Sequence, residues 1–338
     1  MRTRKYLEAS VLATLIILFL TGCSQSSSEP DTSLTPQESA IGNIHSANGI
    51  YFQAKHAGQI SIRKQEPDGS ISDLLAGEET QFWWPRVSPD KSTLLWYQSP
   101  ATGDLNNYQE AELWMGNVDG SEARRVIAKG QYGWTAQGVA DWSPDGSQLV
   151  MAAIDESGFW HIYITKNNGQ DPTRVSSRNS LFADPSWSPD GNQIVYSAYP
   201  ANYDGNPLNL FALEIHTMNR DGTEERRLTF DELRDHDPYW SPDAREIVFE
   251  SQHDLLHCLI GSWAVRKVDL QTGDTTNLVF DENANGVSRW SHDSQYIYFP
   301  RTTCGNFSRL MRIDRDGGNM LVAVEIPETN VLDGDIVD

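Results

Sequence analysis

The chain has 338 residues, 38% of them hydrophobic, and a formal charge of −21 at neutral pH. That acidity excludes nucleic acid and bare anionic lipid as natural partners, because long-range repulsion opposes both. It suits plain solubility or a cationic partner, and the length is enough for one large β domain.

Arg2, Arg4 and Lys5 precede an apolar run over residues 11–20, which is too short to span a bilayer comfortably. This pattern reads as a secretory signal and not as a structural helix. It ends in Leu20-Thr-Gly-Cys23, which resembles the bacterial lipobox. The resemblance implies cleavage before Cys23, with residues 1–22 removed and Cys23 lipidated; several acyl chains on one residue anchor firmly. The chain that remains carries about −23, since residues 1–22 hold three cations and one anion. Ser24 stands where an Asp retention signal would sit, which favours the outer membrane facing the periplasm and leaves surface exposure open. Residues 23–39 are rich in Ser, Pro and Gln with little apolar content, as expected for a disordered tether.

Beyond the tether, one motif recurs. Ala183-Asp-Pro-Ser-Trp-Ser-Pro-Asp-Gly191 leads into the apolar run Gln193-Ile-Val-Tyr-Ser-Ala198. Copies begin at Pro85 (with Val87 in the Trp slot), Val139, Asp237 and Val287, and a worn copy surrounds Ser46. The motif serines, Ser46, Ser88, Ser143, Ser188, Ser241 and Ser291, are 42, 55, 45, 53 and 50 residues apart. Such a period, with several short strands per unit, is a propeller signature. Within the motif, Pro presets one backbone angle and Asp-Gly or Asp-x reverses the chain. Asp90, Asp145, Asp190, Asp243 and Asp293 therefore read as structural turn residues. About twenty residues after each motif comes a strand ending in a second turn, as in Leu113-Trp-Met-Gly-Asn-Val-Asp-Gly120, followed by a short outer strand.

These two turns in register resemble the repeat of TolB-type propellers, from about Ala40 to Ile326. The resemblance implies an all-β fold: a six-bladed β-propeller of four-stranded antiparallel blades over residues 40–326. Residues 327–338 remain as an acidic C-terminal tail. TolB binds partner proteins through such a domain, which implies a binding role.

In such a blade the motif turns share one face, and the opposite face carries long, variable loops. Here these are 98–111, 129–138, 153–160, 198–210, 230–237 and 250–262. Binding usually resides in long loops on a rigid scaffold. Among their aromatics, Trp84, Trp134 and Tyr203 are the candidates for ligand contact, because Gly, Gln or Asn flanks them in place of a strand pattern. His236, His253 and His257 fall in one unit and, with Asp235, Asp237 or Asp254, form the candidate metal group. Oligogalacturonate lyases, propellers with related repeats and a histidine-rich metal site, give this group a family echo. Cys258 and Cys304 lie in corresponding loops of consecutive units and are the candidate disulfide. No G-x-S-x-G elbow, P-loop or dinucleotide fingerprint is present.

The sequence is thus read as a monomeric, lipid-anchored cell-envelope protein that binds an envelope protein segment or a glycan, without cofactor and not as an enzyme. The alternative is a polysaccharide-active, lyase-like enzyme with a divalent metal at the histidines. Peptide mapping without reduction should yield one Cys258–Cys304 cross-linked fragment. Two thiols open to alkylation in the native protein would exclude that bridge.

Overall fold

The computed structural model describes residues 49–101, 106–203, 210–257 and 261–336. The signal segment, Cys23, the tether, the Ser46 motif and Cys258 lie outside them.

Strands account for nearly all the regular structure. In chain order they are β1 (Ile50–His56), β2 (Gln59–Gln65), β3 (Ile71–Leu75), β4 (Thr80–Val87), β5 (Thr93–Pro100), β6 (Glu112–Asn117), β7 (Arg124–Ile127) and β8 (Ala136–Trp142). There follow β9 (Gln148–Ile154), β10 (Trp160–Lys166), β11 (Thr173–Arg174), β12 (Phe182–Trp187), β13 (Gln193–Ala198), β14 (Glu214–Asn219), β15 (Arg226–Arg227) and β16 (Arg234–Trp240). The last are β17 (Glu246–Asp254), β18 (Ser262–Asp269), β19 (Thr275–Val279), β20 (Ala284–Asn285), β21 (Arg289–Trp290), β22 (Tyr296–Thr302), β23 (Arg309–Asp314), β24 (Leu321–Val324) and β25 (Thr329–Ile336). No α-helix occurs among the described residues, only two 3-10 turns.

Strand pairing is antiparallel apart from one short parallel bridge, and the sheets follow the repeat. Four have four strands each, in the orders β25-β1-β2-β3, β4-β5-β6-β7, β11-β10-β9-β8 and β12-β13-β14-β15. The other nine strands form one sheet. The separate sheets expected from six repeats are therefore not all separate. After β19 the chain runs back beside β18 and pairs with it in parallel at Trp263 and Ala284. Asn285 holds this join by donating from Nδ2 to the Trp263 carbonyl at 2.8 Å.

A second difference concerns the C-terminus. Residues 327–338, set apart in the sequence as a tail, supply β25. It pairs along β1, from Ile336 opposite Ile50 to Thr329 opposite His56. The first sheet thus joins both ends of the described chain, which removes a free edge.

Apolar seams hold the sheets face to face. Trp142 packs with Leu95, Met115 and Leu149, and Trp187 with Val150, Ile164 and Ile194. Trp290 packs with Tyr239, Val265 and Phe299. Because both faces are covered, strands such as Ile194-Val-Tyr196 are apolar on both sides and fully buried.

The motif turn is locked by its own side chains. Ser188 Oγ donates to Asp190 Oδ1 at 2.6 Å and accepts from the Gln193 N–H at 2.9 Å. The same pair of bonds recurs at Ser88, Ser143, Ser241 and Ser291. Ser188→Ala leaves a part-buried N–H and an exposed carboxylate without this partner, so it is expected to cost about 1 kcal/mol. Urea unfolding checks this; a loss too small to measure would show that the lock does not stabilise the turn.

Candidate functional site

The inner strands carry a shared irregularity. Pairing slips between Trp83 and Arg86, Gly138 and Ala140, Ala183 and Ser186, and His236 and Tyr239. The residue left over stands three before the Trp slot. It is Trp84, Val139, Asp184 or Asp237, and each has a left-handed backbone, with φ of 58°, 51°, 53° and 47°. That conformation is unfavourable for non-glycine residues, most of all for β-branched Val139. A bulge bends its strand and re-aims the unpaired side chain. Pro85, Pro185 and Pro238 follow three of these residues, where the ladder needs no donor.

The re-aimed side chains meet at the axis. Trp84, Val139, Asp184 and Asp237 line one cavity of about 250 Å³, together with Val287 and Leu332 from the corresponding stretches of the remaining inner strands. Tyr108, Trp160 and Trp263 add aromatic walls on the loop side. Gly138 makes room for the Tyr108 ring, since a Cβ there would come within 2.3 Å of it. Sites that enclose drug-sized molecules run to roughly 300–1,000 Å³. This one admits a side chain or a small group.

One wall is charged. Arg234 Nε donates to His236 Nε2 at 3.0 Å, which places the ring proton on Nδ1, 3.0 Å from Asp184 Oδ2. Burial, then the Arg234 charge, lowers the His236 pKa, so the ring is neutral at pH 7. Asp237 and Glu250 line the same cavity, with Glu250 opposite His236 in the β16–β17 ladder. Burial, then the Asp184 charge, pushes Glu250 up to about 8 and holds Asp237 well above the usual carboxylate range. Asp237 is 8% exposed, and its Oδ1 accepts no hydrogen bond. Asp184, His236 and Asp237 each offer a ligand atom within 4.8 Å of the others, so this is the group that could hold a metal among the described residues.

Toward the motif turns a second charged layer fills the axis. Arg86 donates from Nη1 to Asp333 Oδ2 at 3.0 Å and from Nη2 to the Tyr239 hydroxyl at 3.2 Å. The Arg289 guanidinium lies 3.3 Å from the Tyr239 ring centre and 3.4 Å from Asp333 Oδ1. Asp335 accepts from the Val87 N–H at 2.6 Å, and burial raises it to about 6. The cavity therefore opens on the loop side.

The residues singled out in the sequence are dispersed. Trp84 and His236 line the cavity. Trp134 is buried against Tyr132 and Tyr163, and Tyr203 stacks on Tyr199 at 4.4 Å; neither lines the cavity. The three histidines do not converge. His253 stacks on Phe280 at 4.2 Å, and His257 Nε2 lies 3.3 Å from Cys304 Sγ. Cys304 is disulfide-bonded. Sequence reasoning passed over Asp184, Arg234, Glu250 and Asp333. A signal existed: Asp184 and Asp237 put a carboxylate where the other motif copies have Val or Trp, and Glu250 interrupts the apolar run Ile247-Val-Phe249.

No family model and no curated protein matches the chain. Among solved structures it is similar to a putative TolB from Agrobacterium tumefaciens, at 20% identity over 82% of this chain and 88% of that one, with a TM-score of 0.60. TolB from Acinetobacter baumannii matches at 16% identity over 86% of this chain and 66% of that one, with a TM-score of 0.65. An oligogalacturonate lyase in complex with manganese matches at 14% identity over 80% and 72%, with a TM-score of 0.52. At these identities the likeness is one of fold: an all-β, TolB-type propeller of four-stranded antiparallel blades.

The buried acids set a pH dependence. Burial raises Glu214 and Glu250 to about 8 and Asp235 to about 7. In the unfolded chain such groups ionise near pH 4. Their stabilising protonation is complete below that value and is lost as pH rises through 7–8. Asp145 acts oppositely: hydrogen bonds from Ser143 and Ser147 lower it to about 2, so its contribution disappears as pH falls through 2. Thermal unfolding should therefore peak near pH ~5 and decline toward pH ~8, and Glu250→Gln should recover about 2 kcal/mol at the upper end. A melting temperature that climbs steadily over that range would contradict the assignment.

Proposed function

We propose that this chain is a lipid-anchored binding protein of the bacterial cell envelope that receives a segment of a partner protein at its loop face. The leading observation is the axial cavity, open on the loop side, closed on the other by a charged layer, and lined by indoles and a buried carboxylate with an unused oxygen. Exposed Phe230, Leu255, Leu256, Phe280 and Phe307 belong to connections on that same face and suit a protein contact. The lipobox-like Leu20-Thr-Gly-Cys23 supports the anchor, and the TolB-type fold is in keeping with protein binding. We count the nine-stranded sheet as two blades, six in all, because its halves pack across their own apolar seam around Trp290. We assign the Cys304 bridge to Cys258.

A second reading rests on one observation. Asp184, His236 and Asp237 are close enough to ligate a divalent metal, as a lyase-like enzyme would require.

A photo-cross-linker at Leu256 of the full-length lipoprotein should capture an envelope protein, and one at Lys91, beside a motif turn, should not. Thr302→Trp, which narrows the cavity mouth, should abolish the Leu256 product. Cross-linking that ignores this plug would refute the cavity as the binding site.

A further inference from the structure

Four carboxylates line the cavity, against one guanidinium, that of Arg234. Asp333 is already taken by Arg86 and Arg289. That leaves Asp184, Asp237 and Glu250, and of these Asp184 is engaged by the His236 ring. Asp237 and Glu250 stand on neighbouring strands at the same level of the cavity, and Asp237 Oδ1, more than nine-tenths buried, has no donor. An acceptor buried in this way costs free energy until a donor reaches it.

The occupant must therefore bring N–H or O–H donors, and its charge decides how well it fits. An anion would meet four acidic side chains against a single lining guanidinium. A metal ion needs a lone pair on His236, but Arg234 donates to Nε2 and the Nδ1 proton faces Asp184. A metal there would have to displace a guanidinium and then sit beside it. An ammonium group needs only acceptors. Among the aromatic walls, Trp84 already carries Arg86 and Arg289 and Trp263 carries Arg234, which leaves Tyr108 and Trp160 to meet its alkyl chain and its charge.

Resting on the reading of the axial cavity as the binding site, we propose that it is a receptor for a primary alkylammonium group, with Asp237 and Glu250 as its acceptors. A lysine side chain of the partner segment and a free alkylamine share this chemistry.

Fluorescence of the cavity tryptophans and calorimetry report binding of n-butylammonium and of an acetyl-lysine-amide peptide mimic to the full-length protein. Both should bind, and the uncharged acetyl-norleucine amide should not. Saturation by the lysine mimic alone would assign the source to a protein segment. Asp237→Asn should weaken binding about ten-fold or more, because a bound ammonium favours the ionised acid, whose proton passes to solvent, and an amide cannot ionise to form that charge-assisted bond. It should leave the melting temperature at or above that of the parent, because the amide replaces an acid that burial already holds toward its neutral form. An exposed control, Glu78→Gln, should change neither. Equal affinity for the neutral mimic, or for ammonium ligands in Asp237→Asn, would overturn the proposal. So would stoichiometric Mn²⁺ or Zn²⁺ binding that is lost in His236→Ala while ammonium ligands fail to compete. If ammonium ligands fail but Thr302→Trp still abolishes the Leu256 cross-link, this inference falls and the binding site stands. If the plug has no effect either, both fall.

Discussion

Just above the wedge position of four inner strands the β-ladder slips by one residue, and the residue released turns toward the axis. Regular pairing would alternate side chains between the two seams and leave the axis to whatever fitted between strands. The slip gives each of these strands one side chain that belongs to neither seam. The seams can then be filled by hydrophobic demand alone, by Trp142, Trp187 and Trp290 with their neighbours. What occupies the axis is free to differ from sheet to sheet. It does differ: Trp84, Val139, Asp184 and Asp237 share one backbone state and no side-chain chemistry.

This separation explains which features were legible in the sequence. The motif serine, its Asp two residues on and the apolar run behind it recur because each copy closes the same turn with the same bonds. Periodicity therefore exposed the fold. A site at the axis is built from departures from the repeat, and no period can announce these. Asp184 and Asp237 look like any other residue before the Trp until their copies are aligned. Trp134 and Tyr203 looked like ligand contacts because loop residues flank them, yet each is occupied by a neighbouring tyrosine. His253 and His257 share a unit with His236, but His253 lies at the end of β17 and His257 stands on the loop beyond it, whereas His236 is carried by β16. The end strand was hidden for another reason. β25 lacks the wedge and the turn because the first sheet is completed by the far end of the chain, so its partner lies almost three hundred residues away.

Beneath the cavity, Arg86, Arg289 and Asp333 are buried and Asp335 is half-buried, where apolar residues would pack at lower desolvation cost. Each of these charges reaches across to another sheet. Arg86 meets β25 through Asp333 and β16 through the Tyr239 hydroxyl, while Asp335 holds the Val87 N–H. Apolar contacts tolerate small slips, whereas these bonds have one geometry. The layer thus fixes the angular positions of the inner strands relative to one another, and with them the width of the cavity above.

Charge then acts at two ranges. The acidic excess of the whole chain draws cationic groups toward the surface, but at physiological salt this field fades within about 8 Å, so it favours encounter without choosing a partner. Selection needs a place where water is excluded and an acceptor remains unused, because there the difference between a cation and its neutral isostere is not screened. Asp237 meets both conditions: its backbone is held at φ 47° by the bulge, and its Oδ1 lies in a cavity whose other walls are largely carbon. A surface carboxylate on a motif turn, such as Asp145, meets neither, since Ser143 and Ser147 already occupy it. The same residue type is therefore structural at one face of the propeller and available to a ligand at its axis, and the difference lies in the slip of a single residue.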